Sequence, residues 1–274
     1  MKIFRQKLYD LRSAVLNFKI VSNLLGISWW LLPNTLRLRL PIYGIAFGFI
    51  TPFKTFKWVL DPRDLISQKY FSLGFRKYES LTQKALFKVC LEFNKQRNLH
   101  FLNIGANTGL YALLVGKKFP SAKITLIEPV PINHSILQKN MELNHLNPII
   151  HNLAAGSKRS KARIYPHPNY FGMASFAKNQ ELPIEVEVFR TDEIVTDSVD
   201  IALIDVEGHE IEVLNGMKKI LVQDGPILII ETSAKTLIDL TDFLKTYGYG
   251  DPDWLGKELI FGPQEKNFLY RKNI

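Results

Sequence analysis

Phe101-Leu102-Asn103-Ile104-Gly105-Ala106-Asn107-Thr108-Gly109, followed after a helix-like segment by Ile124-Thr125-Leu126-Ile127-Glu128-Pro129, decides the fold. An apolar run enters a turn with glycines at 105 and 109. A second apolar run then ends in a carboxylate nineteen positions beyond Gly109. This layout predicts a βαβ unit that holds an adenosine-containing cofactor. Glycine lets backbone approach a ligand closely, and the acid takes the two ribose hydroxyls.

Outward from that unit, strands and helices alternate. Strands are predicted at 100–104, 123–127, 149–153, 199–204 and 226–231, each a short, nearly continuous apolar run suited to a parallel sheet covered on both faces. Helices are predicted at 108–117, 132–145, 208–222 and 234–247, with Pro131 suited to a first turn and Asp224-Gly225-Pro226 as a stop. Residues 161–189, with Ile184, Val186 and Val188 alternating, read as an inserted hairpin. The runs Glu258–Phe261 and Phe268–Tyr270, separated by Gly262-Pro263, read as a closing antiparallel hairpin. The whole is a doubly wound α/β fold whose ligand lies at the carboxyl ends of the strands.

The 274 residues divide into a basic N-terminal arm with a helical lead-in (1–96) and a cofactor-binding domain (97–274). Of the net charge of +9, residues 1–60 supply eight units, with nine basic residues against Asp10 alone. Ile3, Phe4, Leu8, Leu11, Val15 and Leu16 fall at helical spacing, with Arg5, Lys7, Arg12 and Lys19 off the stripe, and Trp29-Trp30 follows. Such an arm suits either a helix docked on the domain or peripheral contact with an anionic membrane. The longest charge-free run, Ile20–Leu36, is too polar to span a bilayer, and Leu40–Phe53 is short and broken by Pro and Gly. No small-residue cleavage site follows an apolar core, which speaks against a signal peptide. The single cysteine, Cys90, lies on the apolar face of a helical stretch from Tyr78 to Gln96. It reads as a buried thiol in a reducing compartment, which places the chain in the cytoplasm or at the inner face of a membrane.

The spacing Gly105-x-Asn107-x-Gly109 differs from the dinucleotide pattern, in which a third glycine packs the helix that receives a pyrophosphate. S-adenosylmethionine has no phosphate and asks instead for backbone contacts and polar anchors, available from Asn103, Asn107 and Thr108. A second constellation, Asp205-Val206-Glu207-Gly208-His209-Glu210, ends the fourth strand, and Glu231 ends the fifth. Glu207 and Glu210 also suit a helix N-terminus as partners of its dipole, but that leaves Asp205 unaccounted for.

Together these residues resemble the FkbM family of S-adenosylmethionine-dependent methyltransferases. The matching pieces run from Gly74-Phe75-Arg76-Lys77-Tyr78-Glu79 to Asn267-Phe268. They include Asn107, Tyr111, Glu128-Pro129-Val130-Pro131, Asn140, Asn144, Ala154-Ala155-Gly156, Ser175, Thr191-Asp192, the Asp205–Glu210 run and Glu231. The resemblance implies a Rossmann-like class I methyltransferase fold. It places the methionine end of the cofactor at Asn103, Gly105, Ala106, Asn107, Thr108 and Gly109, and the ribose at Glu128 and Pro129. Asn152 to Ala155, with Ala154 and Ala155, would border the adenine, and Asp205 would lie beside the sulfonium. Asn103 departs from the family, which carries an acid there.

The acceptor implied is a hydroxyl, foremost on a carbohydrate. The base that activates it comes from His209, Asp205, Glu207 or Glu231, with His209 having the natural pKa for the role. His209 reads equally well as a helix surface residue. His134, His145, His151 and His167 read as surface or loop residues. A divalent metal on Asp205, Glu207 and Glu231 is chemically reasonable, but their spacing does not indicate one. Nucleic acid is disfavoured as an acceptor, because the basic charge sits in the arm and the cleft mouth is acidic. A non-enzymatic scaffold on the same fold rests on Asn103 alone and is opposed by Glu128 and Asp205. Oligomeric state leaves no trace in the sequence.

Overall fold

The structure, a computed structural model, describes residues 44–50, 54–60, 80–93, 98–167, 170–176, 182–256 and 265–273. The basic amphipathic stripe, Trp29-Trp30, the 74–79 motif and the 258–263 runs lie outside the described residues.

The first elements are a hairpin of β1 (Gly44–Ile50) and β2 (Lys54–Leu60), then helix α1 (Ser80–Phe93). The apolar run from Leu40 with its glycines thus contributes to a β-hairpin, in register from Gly44↔Leu60 to Ile50↔Lys54. The central sheet begins with β3 (His100–Ile104), helix α2 (Leu110–Lys118), β4 (Lys123–Ile127), helix α3 (Pro131–Leu143) and β5 (Ile149–His151). A second, smaller sheet interrupts it, built from β6 (Ala154–Ala155), β7 (Ser160–His167), β8 (Tyr170–Ser175) and β9 (Ile184–Phe189) in the order β6-β9-β7-β8. The chain continues through α4 (Thr191–Ile194), β10 (Ile201–Ile204), α5 (Glu210–Asn215), α6 (Lys218–Gln223), β11 (Ile227–Ser233) and α7 (Leu237–Lys245). It closes with β12 (Asp253–Trp254) and β13 (Glu265–Tyr270).

The seven-stranded sheet runs β12-β13-β11-β10-β3-β4-β5. Strands β11, β10, β3, β4 and β5 are mutually parallel, and β13 is antiparallel to both β11 and β12. The closing antiparallel pair therefore uses Asp253-Trp254 opposite Phe268 and Leu269. Strand alternation gives each face its own core. Leu102, Ile104, Ala202, Ile204, Leu228 and Ile230 pack with Val213, Leu214, Ile220, Leu221, Leu240 and Leu244 from α5, α6 and α7. The other face joins Phe101, Leu126, Leu203, Ile229 and Leu269 to Leu86, Val89 and Cys90 of α1, to Leu113 of α2, and to Phe56 and Trp58 of β2. Both faces are covered, so the inner strands read as continuous apolar runs. Cys90 is fully buried in this core, and burial pushes its thiol up to about 12.

Two predicted elements divide. The strand predicted over 149–153 stops at His151, and Ala154-Ala155 crosses to the small sheet to pair with Val188 and Phe189. The helix predicted over 208–222 breaks at Gly216-Met217. A Cβ on Gly216 would lie 1.9 Å from the Gly156 carbonyl oxygen, so main chain passes main chain there and a continuous helix surface cannot. The small sheet keeps its own core of Val130, Ala154, Ile164, Val186 and Val188, while Glu185 and Glu187 alternate outward.

Among the described residues no helix is long and apolar enough to cross a membrane.

Candidate functional site

Register aligns the strand ends. Ile127, Ile104, Ile204 and Ile230 form one row across β4, β3, β10 and β11. The residues that follow them, Glu128, Gly105, Asp205 and Glu231, therefore emerge together along the carboxyl edge. A pocket opens there, as expected for this sheet class. One wall comes from β3 and β4, with Gly105, Asn107, Glu128, Pro129 and Val130. The opposite wall is the β10–α5 loop, with Asp205, Val206, Glu207 and His209. The small sheet closes the space with Ala154, Ala155, Ile164, Ala174 and Phe176.

The first wall is a cradle of backbone. Gly105 (φ +79°), Asn107 (φ +49°) and Gly109 (φ +92°) are all left-handed. The Gly105 and Ala106 amides both donate to the Ile127 carbonyl at 2.9 and 3.0 Å. A Cβ on Gly105 would fall 1.7 Å from the Asp205 carbonyl oxygen, so only glycine lets the two strand ends approach. Gly109 serves packing instead: a Cβ there would meet Leu137 and Met141 of α3 at 2.5 and 2.8 Å.

Glu128 is 3% exposed. Its Oε2 accepts from the Asn107 amide at 2.8 Å, and its Oε1 accepts from the Val130 amide at 3.0 Å and the Asn133 Nδ2 at 3.3 Å. Burial nevertheless pushes the carboxyl up to about 7, against the pull of those three bonds. A carboxylate offers about four acceptor positions, and beyond the two short amide bonds, with the Asn133 contact long at 3.3 Å, about two are left for a ligand's hydroxyls. Beside it, the buried Asn107 Oδ1 has no hydrogen-bond partner among the described residues. Asn152 Nδ2 donates to the Glu128 carbonyl at 2.8 Å and steers the chain from β5 into Ala154.

On the second wall, the Asp205 amide donates to the Ile104 carbonyl at 3.0 Å. Glu207 (φ +52°) and Gly208 (φ +90°) turn the chain sharply into α5. Glu210 is turned inward, where its Oε1 accepts from the Gly208 amide at 2.8 Å. Burial raises its pKa, and the reading of Glu210 as a cap for the helix start accounts for it. His209 is half-buried and faces the pocket, so it is not a surface residue. Its ring stacks on Phe176 with centroids 4.1 Å apart at 30°. Burial lowers its pKa, partly opposed by Glu212. Of the other histidines, His145 is exposed and His134 and His151 are half-buried.

Of the residues singled out from sequence, Gly105, Asn107, Glu128, Pro129, Ala154, Ala155, Asp205, Glu207 and His209 meet in this pocket. Asn103, Ala106, Thr108, Gly109 and Glu231 are not among its lining. Asn103 is 1% exposed and by alternation shares the opposite sheet face with Phe101. Glu231 follows the same alternation and pairs with Asn267 of β13. Thr108 contributes its carbonyl, which accepts from Asn140 Nδ2 at 2.8 Å, while Asn140 Oδ1 accepts from the Val59 amide. Asp192 caps α6 through the Lys219 and Ile220 amides. The sequence reading missed Ile164, Ala174 and Phe176. Alternation in β7 is the one signal that marks Ile164. Among the described residues no group of three or more His, Cys, Asp or Glu could hold a metal ion.

The donor set fits a cationic, hydroxyl-bearing ligand. Glu128, Asp205 and Glu207 line the pocket, and no Lys or Arg does so among the described residues. A pyrophosphate would meet carboxylates here without a compensating cation.

Among known proteins, the chain is similar to the methyltransferase sdnD of Sordaria araneosa, 25% identical over 162 residues, covering 45% of this chain and 62% of that one. It is similar also to Methyltransferase 1 of Beauveria bassiana, 23% identical over 192 residues, covering 58% of this chain and 76% of the relative. The match thus spans less than two thirds of the Sordaria protein. A crystal structure of the FkbM methyltransferase of Methylobacillus flagellatus aligns with a TM-score of 0.48 at 19% identity, over 64% of this chain and 43% of that one. The Methyltransferase FkbM domain matches residues 103–250, from the glycine turn through the Asp205–Glu210 run to just beyond α7. That match takes in more than half of the sequence and both side walls of the pocket, and the chain belongs to the FkbM methyltransferase family.

Proposed function

We propose that the protein is an S-adenosylmethionine-dependent O-methyltransferase acting on a sugar hydroxyl of a glycan, glycolipid or glycosylated metabolite. The observation that carries the cofactor is the acidic pocket at the strand ends, with buried Glu128 in its lining and no Lys or Arg there among the described residues. S-adenosylmethionine brings a sulfonium-bound methyl group. In this reading Glu128 accepts the two ribose hydroxyls, and Asn107 Oδ1 accepts from the ammonium end. Asp205 lies beside the sulfonium, where its charge favours the cation. Ala154 and Ala155 leave room for a flat adenine.

The acceptor enters from the side of Glu207 and His209. His209, kept neutral by burial, takes the hydroxyl proton as the oxygen attacks the methyl carbon and the carbon–sulfur bond breaks. Positioning supplies much of the rate, up to about 7–11 kcal/mol in favourable cases. The family and the acidic mouth together favour a neutral, hydroxyl-rich acceptor over a polyphosphate.

Calorimetric titration with S-adenosylmethionine, S-adenosylhomocysteine and NAD tests the cofactor, with Glu128→Ala as control. Micromolar binding of the first two, weakened in the variant, is the expected result. Transfer of labelled methyl from the cofactor to a panel of simple glycosides tests the acceptor. Tight cofactor binding with no labelled carbohydrate would reject the sugar while leaving the cofactor standing.

A further inference from the structure

We propose that Phe176 is a positioning residue for methyl transfer: its ring holds the His209 imidazole in the pocket wall, and through it the small sheet becomes part of the acceptor site. This role rests on the methyltransferase reading above and on His209 as the base.

Three observations carry it. The first is where the walls meet. Phe176 follows β8 immediately, on the small sheet, whereas His209 precedes α5 on the large one. Their rings stack at 4.1 Å, and both line the pocket.

The second is what His209 lacks. Neither ring nitrogen has a hydrogen-bond partner among the described residues. A base in an active site is normally oriented by a third group that hydrogen-bonds its far nitrogen. Here no such group is present, so stacking and packing alone set the ring's plane. The Nε2 points toward Gly156, where even a Cβ would come within 3.6 Å. The ring is thus confined between Gly156 and Phe176, with neither nitrogen held by a hydrogen bond among the described residues.

The third is the character of the surroundings. Val188 lies against Gly156 and, like Phe176, carries no charge. The charged groups that share the pocket or act on the imidazole are Asp205, Glu207 and Glu212 of its own loop and helix and Glu128 after β4. Without the aromatic cover the ring would be freer to rotate and better hydrated. Its proton affinity would then return toward that of an ordinary histidine. A misplacement of about 1 Å at a reacting group can cost on the order of 100-fold in rate.

The test uses Phe176→Leu, which keeps bulk and removes the aromatic face, and Phe176→Tyr, which keeps the face. Ring-proton NMR of His209 needs no acceptor. In the wild-type protein its resonances should be shifted upfield by the stacked ring and titrate below 6.5. In Phe176→Leu the upfield shift should vanish and the midpoint should rise, with His100 and His151 unmoved. Phe176→Tyr should restore both. Unchanged His209 resonances in Phe176→Leu would overturn the proposal.

Methyl transfer to the glycoside panel supplies the second arm. His209→Gln should lose about 100-fold in kcat, the usual scale of general-base catalysis. Phe176→Leu should lose about tenfold in the wild-type background and less than about twofold in the His209→Gln background, since a residue that acts through another adds nothing once that other is gone. Equal losses in both backgrounds would mean that Phe176 touches the acceptor directly, and the positioning role would fall. Full activity of His209→Gln would remove the base reading and this role with it, while cofactor binding by calorimetry would still stand.

Discussion

The two walls of the pocket are built on different principles. The wall from β3 and β4 is held by main chain. Gly105 and Ala106 bond the Ile127 carbonyl, and Glu128 is fixed by the Asn107 and Val130 amides. The wall from β10, α5 and the small sheet meets instead through a side-chain contact, His209 on Phe176, beside the point where the Gly216 main chain passes that of Gly156. Hydrogen-bonded backbone tolerates one geometry, which suits an invariant cofactor. Packed side chains can be exchanged, which suits a variable acceptor. The same contrast sets the scale of what substitutions should do.

The largest effect is expected where main chain meets main chain. In Gly105→Ala the new methyl would overlap the Asp205 carbonyl at 1.7 Å in a left-handed residue. Neither strand end can yield without breaking the row of ladder bonds, so a loss of about 4 kcal/mol or more is expected, in the range reserved for strain in a packed core. Gly208 on the other wall is equally left-handed, at φ +90°, but nothing lies within 4 Å of its Cβ position. Gly208→Ala should cost about 1 kcal/mol, the conformational penalty alone. Urea midpoints for the pair measure the difference directly. Equal costs would mean that the walls do not differ as described.

Next is Glu128. Removing two charge-assisted bonds to ribose at about 1.5–3 kcal/mol each predicts a loss of cofactor affinity of about 100-fold or more in Glu128→Ala. The wild-type protein should also show a pH dependence. Glu128 titrates near 7 in the folded protein, and hydroxyl donors require its ionised form. Affinity for S-adenosylhomocysteine should therefore fall below pH 7, approaching about tenfold per unit. For folding the sign is opposite. The group's pKa is raised above its unfolded value, so the ligand-free protein loses stability as pH climbs from about 4.5 to about 7. Calorimetry and thermal melts across pH 5–8 check the two trends, and flat affinity would remove Glu128 from the ribose.

What the sequence made legible follows the same division. Main-chain devices leave local signatures, so the glycine turn, the acid after β4 and the parallel strands could all be read from consecutive residues. Side-chain contacts between distant elements leave none. Phe176 stands in a stretch of scattered Pro, outside the alternating residues 184–188, and its partner lies thirty-three positions away. Asn103 and Glu231 end up on the sheet face away from the pocket, because strand alternation decides direction and proximity in sequence does not. The break at Gly216 was invisible because its cause, the Gly156 carbonyl, belongs to another sheet.

A smaller loss is expected at Asn140, which fastens the β1–β2 hairpin to the cofactor turn. Its Oδ1 accepts from the Val59 amide at 2.6 Å and its Nδ2 donates to the Thr108 carbonyl at 2.8 Å. Asn140→Ala strands two buried backbone groups and should cost about 3 kcal/mol. Asn140→Asp keeps the acceptor for Val59 but sets a carboxylate against the Thr108 carbonyl, so it should not rescue. Denaturant melts of both variants decide this, and rescue by Asp would show that the Thr108 contact contributes nothing.

The smallest effect belongs to the outer face of the small sheet. Lys161 on β7 and Glu185 on β9 pair at 3.0 Å with side chains 68% and 61% exposed. In water such a pair gains little Coulomb energy and loses side-chain entropy, so Lys161→Ala should leave stability essentially unchanged. Its neighbours in register explain why this matters. Ala162 pairs with Val186, and Ile164 with Ile184, on the side that faces the pocket and its core. If the small sheet serves the site only through that inner face, Lys161→Ala should leave cofactor affinity and the His209 ring signals untouched. A measurable shift in either would mean that the outer face is coupled to the pocket after all, and that the side-chain wall is stiffer than contact packing alone makes it.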